Sequence, residues 1–469
     1  MKIKKELFDR LKSQGNNIFI KSEKKVIGYD EFLDLVSKSI TFIQENFPKK
    51  KLIFISKNTD EFFIFFIACL FSDHQIFVID PYTKPKKIEE IKKKLKFDYI
   101  VKNFNLEKIK LKKCGKFSFK DNDFLLIPSS GSSTGEPKAI LHTSKSLLNS
   151  AKSFAELVEY NDKTIVYHCM PTFYMGGIVN TFLSCIFSNS QIGIGPTVNL
   201  TNLNKFWDST KKLGINSFHL TPSILLAMCI MHKPNRALTD HLAEYQSLIS
   251  TGSYLYPEIR DKFFKIFKRR IQTCWGVTEL GGPLTCEKIE DILFEDDNKN
   301  SVGKVSSEIK IKIQKNKNIS INSPFIMKGY VKKNGIIEKP KLNKGYYNTG
   351  DLGSYKNKIL SYYGRNKEII KVGGELVSLT DVENTVLKSK MVKECASVGV
   401  SNLYSGEDLI LFVVLRKNKI NSQIEKIKKF LIKELKSIEL PKKIIPIVEM
   451  PKTKNGKIIK TKLKDLYIQ

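Results

Sequence analysis

The ten residues from Ser129 to Lys138 read SSGSSTGEPK and follow directly on the apolar run Phe124 to Ile127. Two glycines, Gly131 and Gly135, let the chain turn so that successive backbone N–H groups point inward, and such a nest holds an anion. Ser129, Ser130, Ser132, Ser133 and Thr134 add hydroxyl donors, and Lys138 adds a charge. Phosphate is the ligand that this chemistry suits. The segment is not a Walker A loop, because Glu136-Pro137 separates Gly135 from Lys138 and no Ser or Thr follows the lysine. Taken alone, it is also what a surface turn looks like.

Five later segments give it a context: STGSYL at Ser250 to Leu255, CWGVTE at Cys274 to Glu279, TGD at Thr349 to Asp351, GRNKEIIKVGGELVSLTDVE at Gly364 to Glu383, and PKTKNGKI at Pro451 to Ile458. In content and order the six resemble the motifs of the adenylate-forming (AMP-binding) superfamily, which includes acyl-CoA and aryl-CoA synthetases, peptide-synthetase adenylation domains and firefly luciferase. They span Ser129 to Ile458, most of the chain.

The chemistry is coherent without the family. Joining a carboxylate to the α-phosphate of ATP needs cover for departing pyrophosphate, a metal, a grip on the nucleoside, and a cation where two anions meet. By resemblance, Glu279 holds Mg²⁺, a hard cation that needs oxygen ligands, and Thr278 beside it contacts a phosphate. Adenine would lie between the aromatic ring of Trp275, with Gly276 next to it, and the backbone of Thr251, Gly252 and Ser253. The family's usual tyrosine is replaced here by Trp275, whose larger ring can still stack. Asp351 would accept both ribose hydroxyls, with Arg365 adding a bond that a lysine could not copy. Lys457 would draw the acid and the α-phosphate together and is the expected catalytic lysine. The resemblance also makes Lys367 a hinge pivot and places Lys371, Gly373 and Gly374 along a channel for the pantetheine arm of the acceptor thiol.

For the acid itself, the resemblance points to Phe173, Tyr174, Met175 and Gly176, to Phe218 to Ser223, and to Gly281 and Gly282. Amino-acid-activating members carry an aspartate where this chain has Tyr174, and many acyl-CoA and aryl-CoA members carry a histidine. An acid without an α-amino group follows. The paired glycines either open one wall to a bulky acid or permit a tight loop. Two further departures are Ser72-Asp73-His74, where many relatives have glycine, and Lys460, where the last motif often has arginine.

The elements that must position these residues alternate. Leu52 to Ser56 reads as a strand, Asp60 to Phe71 as a buried helix, Ile76 to Ile79 as a strand, Lys86 to Leu95 as an amphipathic helix, Phe124 to Ile127 as a strand, Ser144 to Val158 as a helix and Thr164 to His168 as a strand. This pattern predicts parallel sheets covered by helices, the α/β class. After Ser301, short runs such as SVGKV, EIKIKI, ISINS and KNGIIEKP predict a small antiparallel sheet or barrel. A second, α+β unit follows from about residue 364, with CASVGV and LILFVVL as strands and Ser422 to Ser437 as a helix. In and just after that helix, Ile424, Ile427, Leu431, Leu435 and Ile438 recur at helical spacing. The expected organisation is an adenylation core over 1–363, a hinge at 364–367 and a mobile domain over 368–469.

Composition narrows the partners. The chain has 469 residues, 41% of them hydrophobic, and carries a formal charge of +31, so a disordered or fibrous chain is excluded. Of the 79 cations, 72 are lysines and only seven are arginines. Base-edge readers favour arginine, no nucleic-acid motif occurs, and the positive field is expected to favour polyanionic ligands. Eight cysteines, never closer than twelve residues, indicate neither a zinc site nor a disulfide framework. No apolar stretch backs the N-terminal lysines, and the longest apolar run, Phe62 to Phe71, is about half of the ~20 residues a spanning helix needs. A soluble cytoplasmic protein without membrane insertion is expected. The reading is an ATP- and Mg²⁺-dependent acid–thiol ligase acting on a small carboxylic acid, with CoA or the phosphopantetheine of an acyl carrier protein as acceptor. A non-catalytic nucleotide-binding homologue is the rival from another class.

Overall fold

The computed structural model describes residues 2–106, 114–128, 138–199, 201–288, 300–372, 375–402, 406–416, 420–453 and 456–468. Its first sheet has seven strands. Lys51–Ile55 lies parallel to Gln75–Val78 and to Tyr99–Lys102, and Gln75–Val78 lies parallel to Asp123–Pro128. Alternation along one strand sends Leu52 and Phe54 into one core and Ile53 and Ile55 into another, so both faces are covered.

Between the first two strands runs the helix Asp60–Phe71, capped by Thr59, whose side chain accepts from Phe62 N. Its ten residues from Phe62 to Phe71 are all buried, as a helix that is apolar all round requires. Phe66 packs its ring 5.1 Å from Phe124 and 5.9 Å from Phe182, which ties the first sheet to the neighbouring part of the chain.

A second path joins fourteen strands. One half is mostly parallel and includes Ile165–His168, Ser217–Leu220, Ser247–Ser250 and Gln272–Val277. At Gln272–Val277 the direction changes: this strand is parallel to Ser247–Ser250 on one side and antiparallel to Gly282–Cys286 on the other. Antiparallel pairing then continues through Ser301–Val305, Ile359–Arg365, Tyr346–Lys356, Asn318–Asn322 and Lys310–Ile313. The short strands expected after Ser301 are therefore antiparallel, but they continue the parallel sheet through Gly282–Cys286. The expected KNGIIEKP strand goes elsewhere: Ile337–Glu338 pairs with Gly329–Val331, which extends the seven-stranded sheet along Ala139–Thr143. Periodicity sees strands, and only long-range pairing decides which sheet receives them.

The smaller C-terminal unit is a five-stranded sheet centred on Gly406–Leu415 and Val392–Asn402. Helices Leu379–Lys388 and Ile420–Glu434 contribute to the core on one face, and Lys460–Ile468 contributes Leu463 on the other. The helix expected to reach Ser437 ends at Glu434, and a separate 3₁₀ turn covers Ser437–Glu439. Among the described residues no helix is long and apolar enough to cross a membrane.

Because Phe66 is fully buried between two elements, Phe66→Ala should cost about 3–5 kcal/mol. Urea unfolding would register this as a lower midpoint at unchanged slope. An unchanged midpoint would remove this helix from the list of stabilising contacts.

Candidate active site

The strand that changes direction carries the centre of the site. Gln272–Val277 ends in Trp275-Gly276-Val277, followed by a single 3₁₀ turn, Thr278–Leu280. Gly276 has no room for a side chain: a Cβ there would stand 1.8 Å from the carbonyl oxygen of Gly282. The missing side chain lets the two strands approach at the point where their register shifts.

Thr278 and Glu279 are held from outside. His142 Nε2–H donates to Thr278 O at 2.8 Å, and burial pushes the imidazole down to about 4, which keeps it neutral. The amide of Met327 donates to Glu279 O at 2.8 Å. The Tyr330 hydroxyl donates to Glu279 Oε1 at 3.0 Å and meets Tyr347 Oη at 3.0 Å. Lys138 Nζ sits 4.9 Å from the centre of the Tyr330 ring, so the cation at the end of the glycine-serine segment lies beside the tyrosine that holds Glu279.

The hairpin Tyr346–Lys356 and Ile359–Arg365 pairs Asp351 with Arg365 across its two strands. Asp351 is only 1% exposed. Its Oδ2 accepts from Trp275 Nε1–H at 3.1 Å, and its Oδ1 lies 3.0 Å from Arg365 Nε as a charge contact without hydrogen-bond alignment. Burial raises this carboxyl to about 6, against the pull of Arg365 and of the indole N–H. Trp275 is thus both a flat ring in the cavity wall and a donor to the carboxylate beside it.

Lys457 reaches the same place from the C-terminal unit. Its ammonium is disfavoured by burial and by Arg365, while Glu368 and Asp351 favour it, and the balance lies below the ordinary lysine value. The approach depends on Gly456, which has φ +82° and stands where a Cβ would come 2.9 Å from Ser223 Cβ. Ser223 Oγ donates to Gly456 O at 2.5 Å. A second contact locks the units together: Tyr256 Oη–H donates to Glu383 Oε2 at 2.5 Å, and Lys460 Nζ lies 2.8 Å from Glu383 Oε1 and 3.6 Å from Glu368 Oε1. Burial opposes the Lys460 charge, but the two carboxylates raise its value above the ordinary one.

One cavity of about 810 Å³ is lined by Thr251, Gly252, Ser253, Trp275, Gly276, Thr278, Glu279, Asp351, Arg365 and Lys457, and equally by Tyr174, Met175, Gly176 and Gly282. Phe173 and Gly281 do not line it. Phe173 is buried in the core with its ring 4.6 Å from that of Tyr174. A Cβ on Gly281 would come 2.9 Å from Ser150 Cβ and 3.1 Å from Phe325 Cβ, and its φ is +88°, so this glycine serves the turn. Gly282 faces Met175 with ordinary contact distances and is the member of the pair that bounds the cavity. Ser129, Ser130, Gly131, Ser132, Ser133, Thr134 and Gly135 lie outside the described residues, as do Gly373 and Gly374. Lys367 and Lys371 fall in the turn Asn366–Glu368 and the strand Ile369–Val372. Tyr330, Tyr347 and His142 had no signal as site residues, because each acts through a partner elsewhere in the sequence; Ser223 and Glu383 end segments that the resemblance singles out, Phe218 to Ser223 and Gly364 to Glu383, but nothing in those segments shows the contacts they make.

Comparison with known proteins places the chain in a family. Residues 7–331 match the model of the AMP-binding enzymes and residues 381–457 that of the AMP-binding enzyme C-terminal domain. The chain belongs to the AMP-binding enzyme family.

Among curated relatives it is similar to a malonate–CoA ligase of Arabidopsis thaliana, 24% identical over 74% of this chain and 61% of the relative. An oxalate–CoA ligase of Saccharomyces cerevisiae is 25% identical over 72% of this chain and 62% of the relative. The chain thus spans less than two thirds of the length of these two ligases. Among solved structures, ATP-bound MatB from Rhodopseudomonas palustris has a similar fold, with a TM-score of 0.86, 15% identity and 98% of both chains covered.

The raised Asp351 value has a testable sign. Below about pH 6 the carboxyl is protonated and offers one acceptor fewer, so ATP affinity measured by calorimetry should fall through pH 6, where an exposed aspartate would still be charged. Trp275→Phe removes a hydrogen bond that favours the charged form, so the midpoint should move upward and the loss of affinity should be larger at pH 6 than at pH 8. A pH-independent loss would mean that the indole acts by stacking alone.

Proposed function

We propose that the protein is an acid–thiol ligase that activates a carboxylic acid with ATP and passes the acyl group to CoA. The reading is supported chiefly by the meeting of four chemistries in one cavity: the Trp275 ring, the Asp351–Arg365 pair, the Thr278-Glu279 turn and the Lys457 ammonium.

Asp351 accepts from the ribose hydroxyls and Trp275 stacks on the base, with Thr251, Gly252 and Ser253 on the other side. Thr278 and the serine- and glycine-rich segment ending at Lys138 cover the phosphates. Glu279 suits a magnesium ion: its Oε1 is oriented by Tyr330, and no group of three His, Cys, Asp or Glu side chains that could hold a metal occurs among the described residues. An ion of this kind is held by few protein oxygens and by the substrate's own phosphates. When bound, Mg²⁺ neutralises charge on the phosphate oxygens.

Lys457 stands beside Asp351 and Arg365, where it can approach both the acid and the α-phosphate. A carboxylate oxygen bonds to the α-phosphorus as the bond to the β,γ-pyrophosphate breaks, and Lys457 offsets charge that develops there. In the second step the thiol sulfur bonds to the acyl carbon, the bond to AMP breaks, and the thiol proton leaves to solvent. That step calls for a rotation about residues 364–367, with Lys367 as pivot, between the core over 1–363 and the domain over 368–469. The rotation would withdraw Lys457 and bring Lys371, Gly373 and Gly374 to the channel.

Acid-dependent release of pyrophosphate from Mg-ATP, with and without CoA, tests the scheme. Lys457→Ala should reduce release by about 10²–10³-fold and change the ATP dissociation constant by no more than about threefold. Release at the wild-type rate would remove Lys457 from the chemistry. Stimulation by an acyl carrier protein and not by CoA would change the acceptor.

A further inference from the structure

The cavity is also lined by two residues whose buried polar atoms have no hydrogen-bond partner among the described residues. The first is Asn180, on the π-helix Gly176–Leu183 that follows the Tyr174-Met175 turn. Gly177 at its start accommodates no other residue, since a Cβ there would stand 2.2 Å from Pro171 O. Helices of this kind are rare and often mark functional sites. Asn180 is 1% exposed and lines the cavity, and its Oδ1 has no hydrogen-bond partner among the described residues.

The second is His219, on the strand Ser217–Leu220, also fully buried and also lining the cavity. Ser217 Oγ donates to Tyr160 Oη at 3.3 Å, and Tyr160 Oη lies 2.5 Å from His219 Nε2. With Ser217 donating to it, the tyrosine donates a hydrogen bond to Nε2 and keeps its proton, so the imidazole proton resides on Nδ1, which has no hydrogen-bond partner among the described residues. Burial holds this ring down at about 3, so it is neutral at physiological pH. An unpaired acceptor and an unpaired donor are each costly when buried.

The three segments that carry these groups and their neighbours supply no cation of their own. Segments 169–180, 219–226 and 282–283 contain no lysine or arginine. Arg260, the first cation along the chain to line the cavity, is bound to Glu287, and the others all follow it in sequence. A second carboxylate on the substrate would find no cation on these three segments and would have to share Lys457, which follows Gly456 at Ser223. A neutral hydroxyl or amide would satisfy both orphan groups.

Resting on the ligase reading, we propose that the acid is a monocarboxylate bearing an uncharged hydroxyl or amide group, recognised by Asn180 and His219. On this view it differs from the two-carboxylate acids that name the malonate and oxalate relatives. A site built to hydrogen-bond a substrate group discriminates strongly against analogues that lack it.

The test is a matched panel in the pyrophosphate assay. Short aliphatic and benzoic skeletons are offered unsubstituted, hydroxylated, as the amide, and as the dicarboxylate. A hydroxy or amide acid is expected to exceed its unsubstituted and dicarboxylate counterparts at least tenfold in kcat/KM. In Asn180→Leu and in His219→Phe that ratio should fall toward one. Preference for a dicarboxylate or for the unsubstituted acid in the wild-type protein would overturn the inference and leave the ligase reading intact. Silence with every acid, in a protein that still binds ATP, would overturn the ligase reading and this inference with it.

Discussion

A buried carboxylate organises this molecule. Asp351 is removed from water, yet two neighbours are oriented by it: the Arg365 guanidinium across the hairpin and the Trp275 indole from the strand where the sheet changes direction. Removing such a charge from water is costly unless partners are in place. One partner lies across the same hairpin and the other 76 residues away along the chain. Asp351 thereby ties the hairpin to the Trp275 strand across the two strands that separate them. Burial leaves the carboxyl titrating near 6, so the interaction that orders the site also sets the pH range over which it can accept hydrogen bonds.

The C-terminal unit meets this arrangement by close approach at Gly456 and by a few polar contacts. Gly456 fits against Ser223 only because it lacks a side chain, and that fit delivers Lys457 to the Asp351–Arg365 pair. Glu383 acts as the second clamp, taking Tyr256 from the larger unit and Lys460 from its own. Contacts made of a few hydrogen bonds and an ion pair can be exchanged for others at modest cost. A large hydrophobic interface would resist any rotation.

Glycine recurs at these sites for distinct reasons. Gly276 allows two strands to touch, Gly281 serves a left-handed turn, and Gly282 leaves the cavity open toward Met175. Adjacent in sequence, Gly281 and Gly282 act differently because their Cβ directions point to opposite kinds of surroundings, packed side chains in one case and cavity in the other.

The candidate residues were legible in the sequence because they fall in short motifs that resemble those of a known family: Thr278-Glu279, Asp351, Arg365 and Lys457 were all singled out in this way, and the structure places all of them at one cavity. Helix Asp60–Phe71 was legible to the residue, since an unbroken apolar run behind a threonine cap can only be a buried helix. Pairing across long separations could not be read. The strand near Ile337 joined the first sheet, Phe173 turned into the core while Tyr174 faced the cavity, and Tyr330, Ser223 and Glu383 took up their places only through contacts 51 to 233 residues away. Asn180 and His219 belong with them. Asn180 carries no sequence signal, and His219 lies in Phe218 to Ser223, a segment that the resemblance singles out without naming it; only tertiary packing decides that both are buried at one cavity with a polar atom that has no partner among the described residues.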